Sequence, residues 1–379
     1  MNLRSAPRAT VGLGILLGLG ACANLSFLHK PPAPAVAIHP PAAATPDVAP
    51  PNAGVFPLPR HGNTVIGQIE TVIAGPDATL SGLARRYDVG YKEITEANPG
   101  VSPWLPGAGR RIVIPAQFVL PDAPHVGIVI NVAQMRLFYF PSPKPGQRPI
   151  VITHPIGIGR KHWETPIGVT RVVAKIVNPV WNVPPSIRAE HAKEGFPLPN
   201  VVPAGPDNPL GAFALRLAIP GYLIHGTDKP YGVGMRVSHG CVHLYPEDIA
   251  RLFPQVPIGT PVRIVDQPYV TGWLNGKLYL VANRPLAENR TNWPTTHRDL
   301  VQVVRHAALR HRPSPAINWT KAAQTAKQDL DIPVPISRGT PGLDQVLAAA
   351  PTVQTAAGEL PNADPPGPGT RTSPPVAPR

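Results

Sequence analysis

Residues 223–244 read "LIHGTDKPYGVGMRVSHGCVHL": an apolar run ending in His225, a gap of twelve residues, then Ser238-His239-Gly240-Cys241. Cys241 is one of only two cysteines in a chain of 379 residues, and His239 and His243 stand two positions to either side of it. A nucleophilic thiol needs a base to take its proton and donors aimed at the developing oxyanion. If the strand ending at His225 lies beside the strand leading into Cys241, imidazole and thiol can meet. The two glycines of "YGVG" suit a loop that folds back. Gly240 lets the backbone turn tightly and present N–H groups.

The second cysteine decides where the first one works. Arg4 and Arg8 precede the apolar run "TVGLGILLGLGA", which is too short to span a bilayer and of signal-peptide length. It closes on Leu19-Gly20-Ala21-Cys22, which resembles the bacterial lipoprotein signal, in which the cysteine becomes the acylated first residue. That resemblance implies a periplasmic protein held by lipid on Cys22. Ala23, rather than an aspartate, favours the outer membrane. Lipid on Cys22 would leave Cys241 as the single thiol in an oxidising compartment, a liability unless its reactivity is used.

Composition sets the rest of the frame. The chain holds 54 prolines, and residues 22–63 read as a Pro/Ala-rich tether. At about 3.1 Å per residue, roughly 40 residues would reach on the order of 100 Å. The formal charge of +13 calls for an acidic partner, but the basic residues are scattered, without a basic block or aromatic interleaving. A wall polymer or anionic membrane surface fits, and nucleic acid is not expected.

Between the ends the chain reads as folded. Residues 64–120 form a small α/β module, with Leu80, Leu83, Ala84 and Tyr87 on one helical face and Ile94 and Ala97 on a second helix. Asn98-Pro99-Gly100 stops that helix, and "RRIVIP" follows as a strand. Residues 121–286 alternate as strands, from "GIVINV" and "MRLFYF" to "KLYLVA", with one short helix, "PEDIARLF", after the cysteine. Residues 183–203 read as a polar surface insertion. Residues 287–312 hold a linker and an amphipathic helix with Leu300, Val303, Val304 and Ala307 in register. Residues 313–379 read as a disordered Pro/Ala-rich tail.

His225, its twelve-residue gap and "SHGC" resemble the signature of the YkuD-type L,D-transpeptidases; "TPIG" (165–168) and "PAGPDNPLG" (203–211) agree. "ITEANPG" makes the preceding module similar to LysM, which binds glycans containing N-acetylglucosamine. This order resembles the Gram-negative subgroup that includes enzymes linking Braun-type lipoprotein to peptidoglycan. The fold implied is a mainly β catalytic domain, a YkuD-like sandwich or barrel with a short helix after the nucleophile, plus a small α/β LysM-like domain and disordered Pro-rich termini. The activity implied is transfer of a peptidoglycan stem through a thioester on Cys241, with no cofactor. His225 would be general base and acid, Ser238 would orient the histidine, and His239 and Gly240 would belong to the oxyanion turn. Tyr222, Gly226 and His243 would touch substrate. The partners implied are stem peptides and, as a possible acceptor, a Braun-type lipoprotein.

His243 departs from the family, in which many members carry arginine. A histidine would anchor a stem carboxylate only when protonated, so His243→Arg is expected to preserve or raise activity above pH 7. Three rival readings stay open on sequence. His239, Cys241 and His243 would share one strand face and, with His225, could ring a zinc ion. The same thioester could be handed to water by a carboxypeptidase or amidase. A wall-binding protein with a degenerate catalytic domain is the third.

Overall fold

The computed structural model describes residues 53–59, 62–286, 288 and 296–353. Its centre is a nine-stranded sheet in the order Val55–Pro57, Ile150–Pro155, Arg136–Phe140, Gly127–Asn131, Pro261–Val265, Gly168–Val177, Phe213–Leu217, Leu223–His225 and Val242–His243. Two neighbouring pairs run parallel: Pro261–Val265 with Gly127–Asn131, and Leu223–His225 with Val242–His243.

"GIVIN" and "RLFYF" are buried at every position, which in a sheet means both faces are covered. Alternation sorts their side chains. Ile128, Ile130, Leu137 and Tyr139 join a core with Ile224, Val242, Leu244, Ile249 and Leu252, the last two from the helix Pro246–Gln255. Val129, Phe138 and Phe140 point the other way, into a core with Leu80, Leu83, Ile94, Ile112 and Ile114. The LysM-like module therefore covers one face of the catalytic sheet.

That module runs strand Glu70–Ile73, helix Leu80–Arg86, helix Tyr91–Ala97, strand Arg111–Ile114, and its two strands pair antiparallel. The Thr79 hydroxyl caps the first helix by accepting from Gly82 N at 2.9 Å. Asn98 ends the second, and its side chain exchanges hydrogen bonds with both backbone groups of Val113 at 2.8 Å. Arg136 ties the sheet to the module. It is fully buried, pairs bidentately with Glu93 at 2.6 and 2.7 Å, donates to Asp88 O at 3.0 Å, and lies over the Phe118 ring. Beside it, buried His154 faces Asp88 across the same boundary at 3.0 Å, and Asp248 of its own domain at 3.6 Å.

Three expected boundaries move. Val55–Pro57, inside the expected tether, pairs with Ile150–Pro155. The hairpin Tyr269–Leu274/Lys277–Ala282 leaves the main sheet and pairs instead with Val334–Pro335. Residues 313–353 are a folded extension rather than a disordered tail. The helix Trp319–Gln328 and the amphipathic helix Thr296–Leu309 cover the hairpin through Ala322, Leu300, Val304 and Ala307. The helix Leu343–Ala348 then packs on Ile69 and Ala97, and residues 351–353 extend the module's sheet, with Thr71 N donating to Pro351 O and Val353 N to Thr71 O, each at 2.8 Å. Lys92 of the module closes the joint on Asp331, Glu96 and Asn283. Composition hid this because short, Pro-interrupted segments gain order from the surface they cover rather than from their own periodicity. Cys22, the signal-like residues 1–21, the tether to residue 52 and residues 354–379 lie outside the described residues.

Removing one partner of a buried ion pair strands the other, at about 3–5 kcal/mol. Arg136→Met is therefore expected to lower the calorimetric midpoint by several degrees. Adding Glu93→Gln, which removes the orphaned charge and keeps an acceptor for Gly90 N, should recover at least half of that loss.

Candidate functional site

The site is built on the parallel pair at the end of the main sheet. Ile224 lies opposite Val242 and His225 opposite His243. Ile224 and Val242 point into the core, so strand alternation puts His225, His243 and the Cys241 side chain on the other face. Cys241 is thus diagonal to His225 on one surface. The two histidines are buried with ring centroids 6.1 Å apart, while Cys241 is only partly covered.

The thiol leans on the Gly221 carbonyl at 3.6 Å. Burial pushes it up to about 11, against a smaller opposing effect of a hydrogen bond with the Leu223 backbone. Burial, with His243 adding to it, pushes His225 down to about 3. Both shifts disfavour the charged form, of the thiol and of the imidazole alike. The Gly226 carbonyl accepts from His225 Nδ1, which leaves the lone pair on Nε2.

The turn that presents Cys241 is stitched from both sides. Ser238 Oγ donates to Cys241 O at 2.6 Å and accepts from Gly240 N at 3.2 Å. Ser238 thus braces the thiol's turn, where the sequence reading had it orienting the histidine, and it occupies the Gly240 amide. Gly240 has φ +104°, and a Cβ there would come within 2.7 Å of the Tyr222 ring, so only glycine fits. Thr165, whose role the sequence did not reveal, accepts from Gly159 N at 3.0 Å and donates to Gly240 O at 2.9 Å. "TPIG" was its only signal.

The left-handed Gly240 also separates the flanking histidines. His239 turns to a cluster of its own, with Nε2 2.9 Å from Glu190 Oε2 and 2.9 Å from Arg160, and its ring edge-on to Trp163. Arg160 binds Glu190 at 2.6 Å, and that hydrogen bond, with His239 adding, pulls the carboxyl down to about 2. Glu190 comes from the helix Pro185–Lys193, inside the insertion read as polar surface. Of the four N/S groups of the zinc reading, His239 is thus turned away from the other three.

His243 lies where a Cβ of Gly157 would stand, and the two residues exchange backbone hydrogen bonds at 2.8 and 3.0 Å. Burial pushes it down to about 4. A ring so enclosed and neutral faces no substrate carboxylate, which removes the ground for the His243→Arg expectation. Gly226 likewise works inward: its carbonyl fixes His225, and its N–H bonds Phe213 O at 3.1 Å. Tyr222 packs against the Gly240 turn and the core.

Residues 125–264 match the model of the L,D-transpeptidase catalytic domain (YkuD), and residues 76–115 match the LysM domain. The chain is 39% identical over 306 residues to a probable L,D-transpeptidase, YcfS, of Escherichia coli K12, a match that covers 79% of this chain and 91% of the relative. It is 39% identical over 293 residues to the probable L,D-transpeptidase ErfK/SrfK of Salmonella typhimurium, covering 76% and 93% of the two chains. The probable L,D-transpeptidase YbiS of E. coli K12 is 43% identical over 240 residues, covering 62% and 77%. The chain belongs to the L,D-transpeptidase family, bacterial cell-envelope acyltransferases that act on peptidoglycan, and it joins a mainly β YkuD domain to a LysM domain.

The two shifted pKa values predict how the resting thiol reacts. Iodoacetamide labelling of Cys241, followed by peptide mass spectrometry so that Cys22 is scored apart, should be slow at pH 7 and rise about tenfold per pH unit toward about 11. A plateau between pH 5 and 8 would mean a thiolate–imidazolium pair instead.

Proposed function

We propose that Cys241 is the acyl carrier of a peptidoglycan L,D-transpeptidase and His225 its proton relay. The observation that supports this is the parallel pairing of Leu223–His225 with Val242–His243, which brings His225, its tautomer fixed by the Gly226 carbonyl, beside the strand that Cys241 immediately precedes. The sulfur attacks the carbonyl between the L-centre of a diamino acid and the terminal D-residue of a tetrapeptide stem, and the thiol proton passes to His225. When the tetrahedral adduct collapses, the carbon–nitrogen bond breaks, His225 returns the proton to the departing amine, and D-alanine leaves a thioester on Cys241. An acceptor amine then attacks, His225 takes its proton, and the thiol is restored. Ser238 Oγ takes the Gly240 amide, and the Cys241 N–H is a backbone donor at the turn for the oxyanion.

The acceptor is the amine of a second stem or a lysine of a Braun-type lipoprotein. Lipid on Cys22 would hold the enzyme at the periplasmic face of the outer membrane, with the Pro/Ala-rich segment as tether and the LysM domain binding wall glycan. The signal-like sequence and the chain's order of domains support this reading.

The assay is incubation with disaccharide-tetrapeptide, with and without a lipoprotein acceptor, and mass analysis of the products. Cross-linked dimers or stem-bound lipoprotein, absent with Cys241→Ala, are expected. Free D-alanine with tripeptide alone would make the enzyme a carboxypeptidase, and no change would leave a wall-binding protein.

A further inference from the structure

A tetrapeptide donor brings carboxylates close to the bond that breaks, one of them a single residue beyond the attacked carbonyl. A carboxylate leaving water for a partly buried site needs a cation or several N–H donors. His243 is enclosed and neutral, so it supplies neither. Arg160 is a cation beside the thiol's turn, as is Arg236, which is taken up by Glu288. The backbone N–H of Arg160 donates to Ser238 O at 3.0 Å, and the strand before it, Ile158–Gly159, runs parallel to Arg236–Ser238 with Gly159 opposite Ser238. Arg160 therefore lies across from His239, two residues from Cys241.

Arg160 already holds a carboxylate, with His239 Nε2 alongside, 2.9 Å from the guanidinium and so either accepting from Arg160 or donating to the carboxylate. Glu190 Oε2 sits 2.6 Å from the guanidinium and 2.9 Å from His239 Nε2. Its helix, Pro185–Lys193, is lightly anchored, with Ile187 as its one buried residue. The Arg160 and Glu190 side chains are 33% and 26% exposed, so the contact opens to solvent without breaking a core.

We propose that Arg160 and His239 form the receptor for a carboxylate of the donor stem, and that Glu190 fills this receptor in the free enzyme as an internal competitor the donor displaces. The inference rests on the transpeptidase reading above. The competitor lowers the fraction of enzyme ready to bind, and apparent donor affinity falls by that fraction. Guanidinium geometry suits the planar carboxylate in a way that ammonium does not.

The test is steady-state kinetics of D-alanine release on the full chain. Glu190→Gln should lower donor KM about three- to tenfold, because the amide no longer competes for the guanidinium. Arg160→Ala should raise it more than about tenfold, with Arg160→Lys in between. Two donors separate the carboxylate sources, one with its C-terminus amidated and one with the diamino acid's side carboxylate amidated. The amide that raises wild-type KM and is insensitive to Arg160→Ala marks the group bound. If Glu190→Gln raises KM in step with Arg160→Ala, or neither amide matters, the receptor is overturned while the transpeptidase reading stands. If wild type releases no D-alanine, that reading fails and the receptor fails with it.

Discussion

The register of two short parallel strands sets the proposed site. With Ile224 opposite Val242 in the core, Cys241 and His225 have to share the outer face. A slip of one residue would bury the thiol and expose Val242, because strand side chains alternate with period two. The hydrophobic core is therefore what aims the site. The hydrogen bonds of Ser238 and Thr165 refine an arrangement that burial of two aliphatic side chains has already imposed.

The same alternation explains why the LysM domain is fused to the catalytic sheet. Val129 and Phe138 need a cover, and Leu80, Ile94 and Ile112 supply it. Burying this apolar surface contributes about 25 cal/mol for each Å² removed from water. Against that, the boundary holds an ion pair, Arg136 with Glu93, whose desolvation is costly unless both charges are satisfied. Its bidentate geometry, with the Asp88 carbonyl as a third acceptor, meets that condition. The C-terminal extension completes the joint by adding an edge to the module's own sheet.

What the sequence disclosed were features carried by local pattern. The spacing from His225 to Cys241, the helix stop at Asn98, the apolar face of Thr296–Leu309 and the helix after the cysteine can all be read within about twenty consecutive residues. What it withheld depends on residues brought together from far apart. Gly157 makes room for His243, and nothing near "CVHL" announces that the ring is enclosed. Thr165 reaches Gly240, and Glu190 reaches Arg160 and His239, across loops whose paths only the folded sheet defines. The folded part of the tail is hidden for the same reason, since Ala322 and Val334 are buried by partners outside their own segments.

Acid-quenched intact-mass spectrometry with peptide mapping reads the central claim directly. Wild-type enzyme mixed with a tetrapeptide donor should carry the stem, less its terminal residue, on the peptide containing Cys241, and His225→Ala should accumulate far less of it. The same adduct on Cys241→Ser enzyme, or mapped to any other residue, would contradict the account.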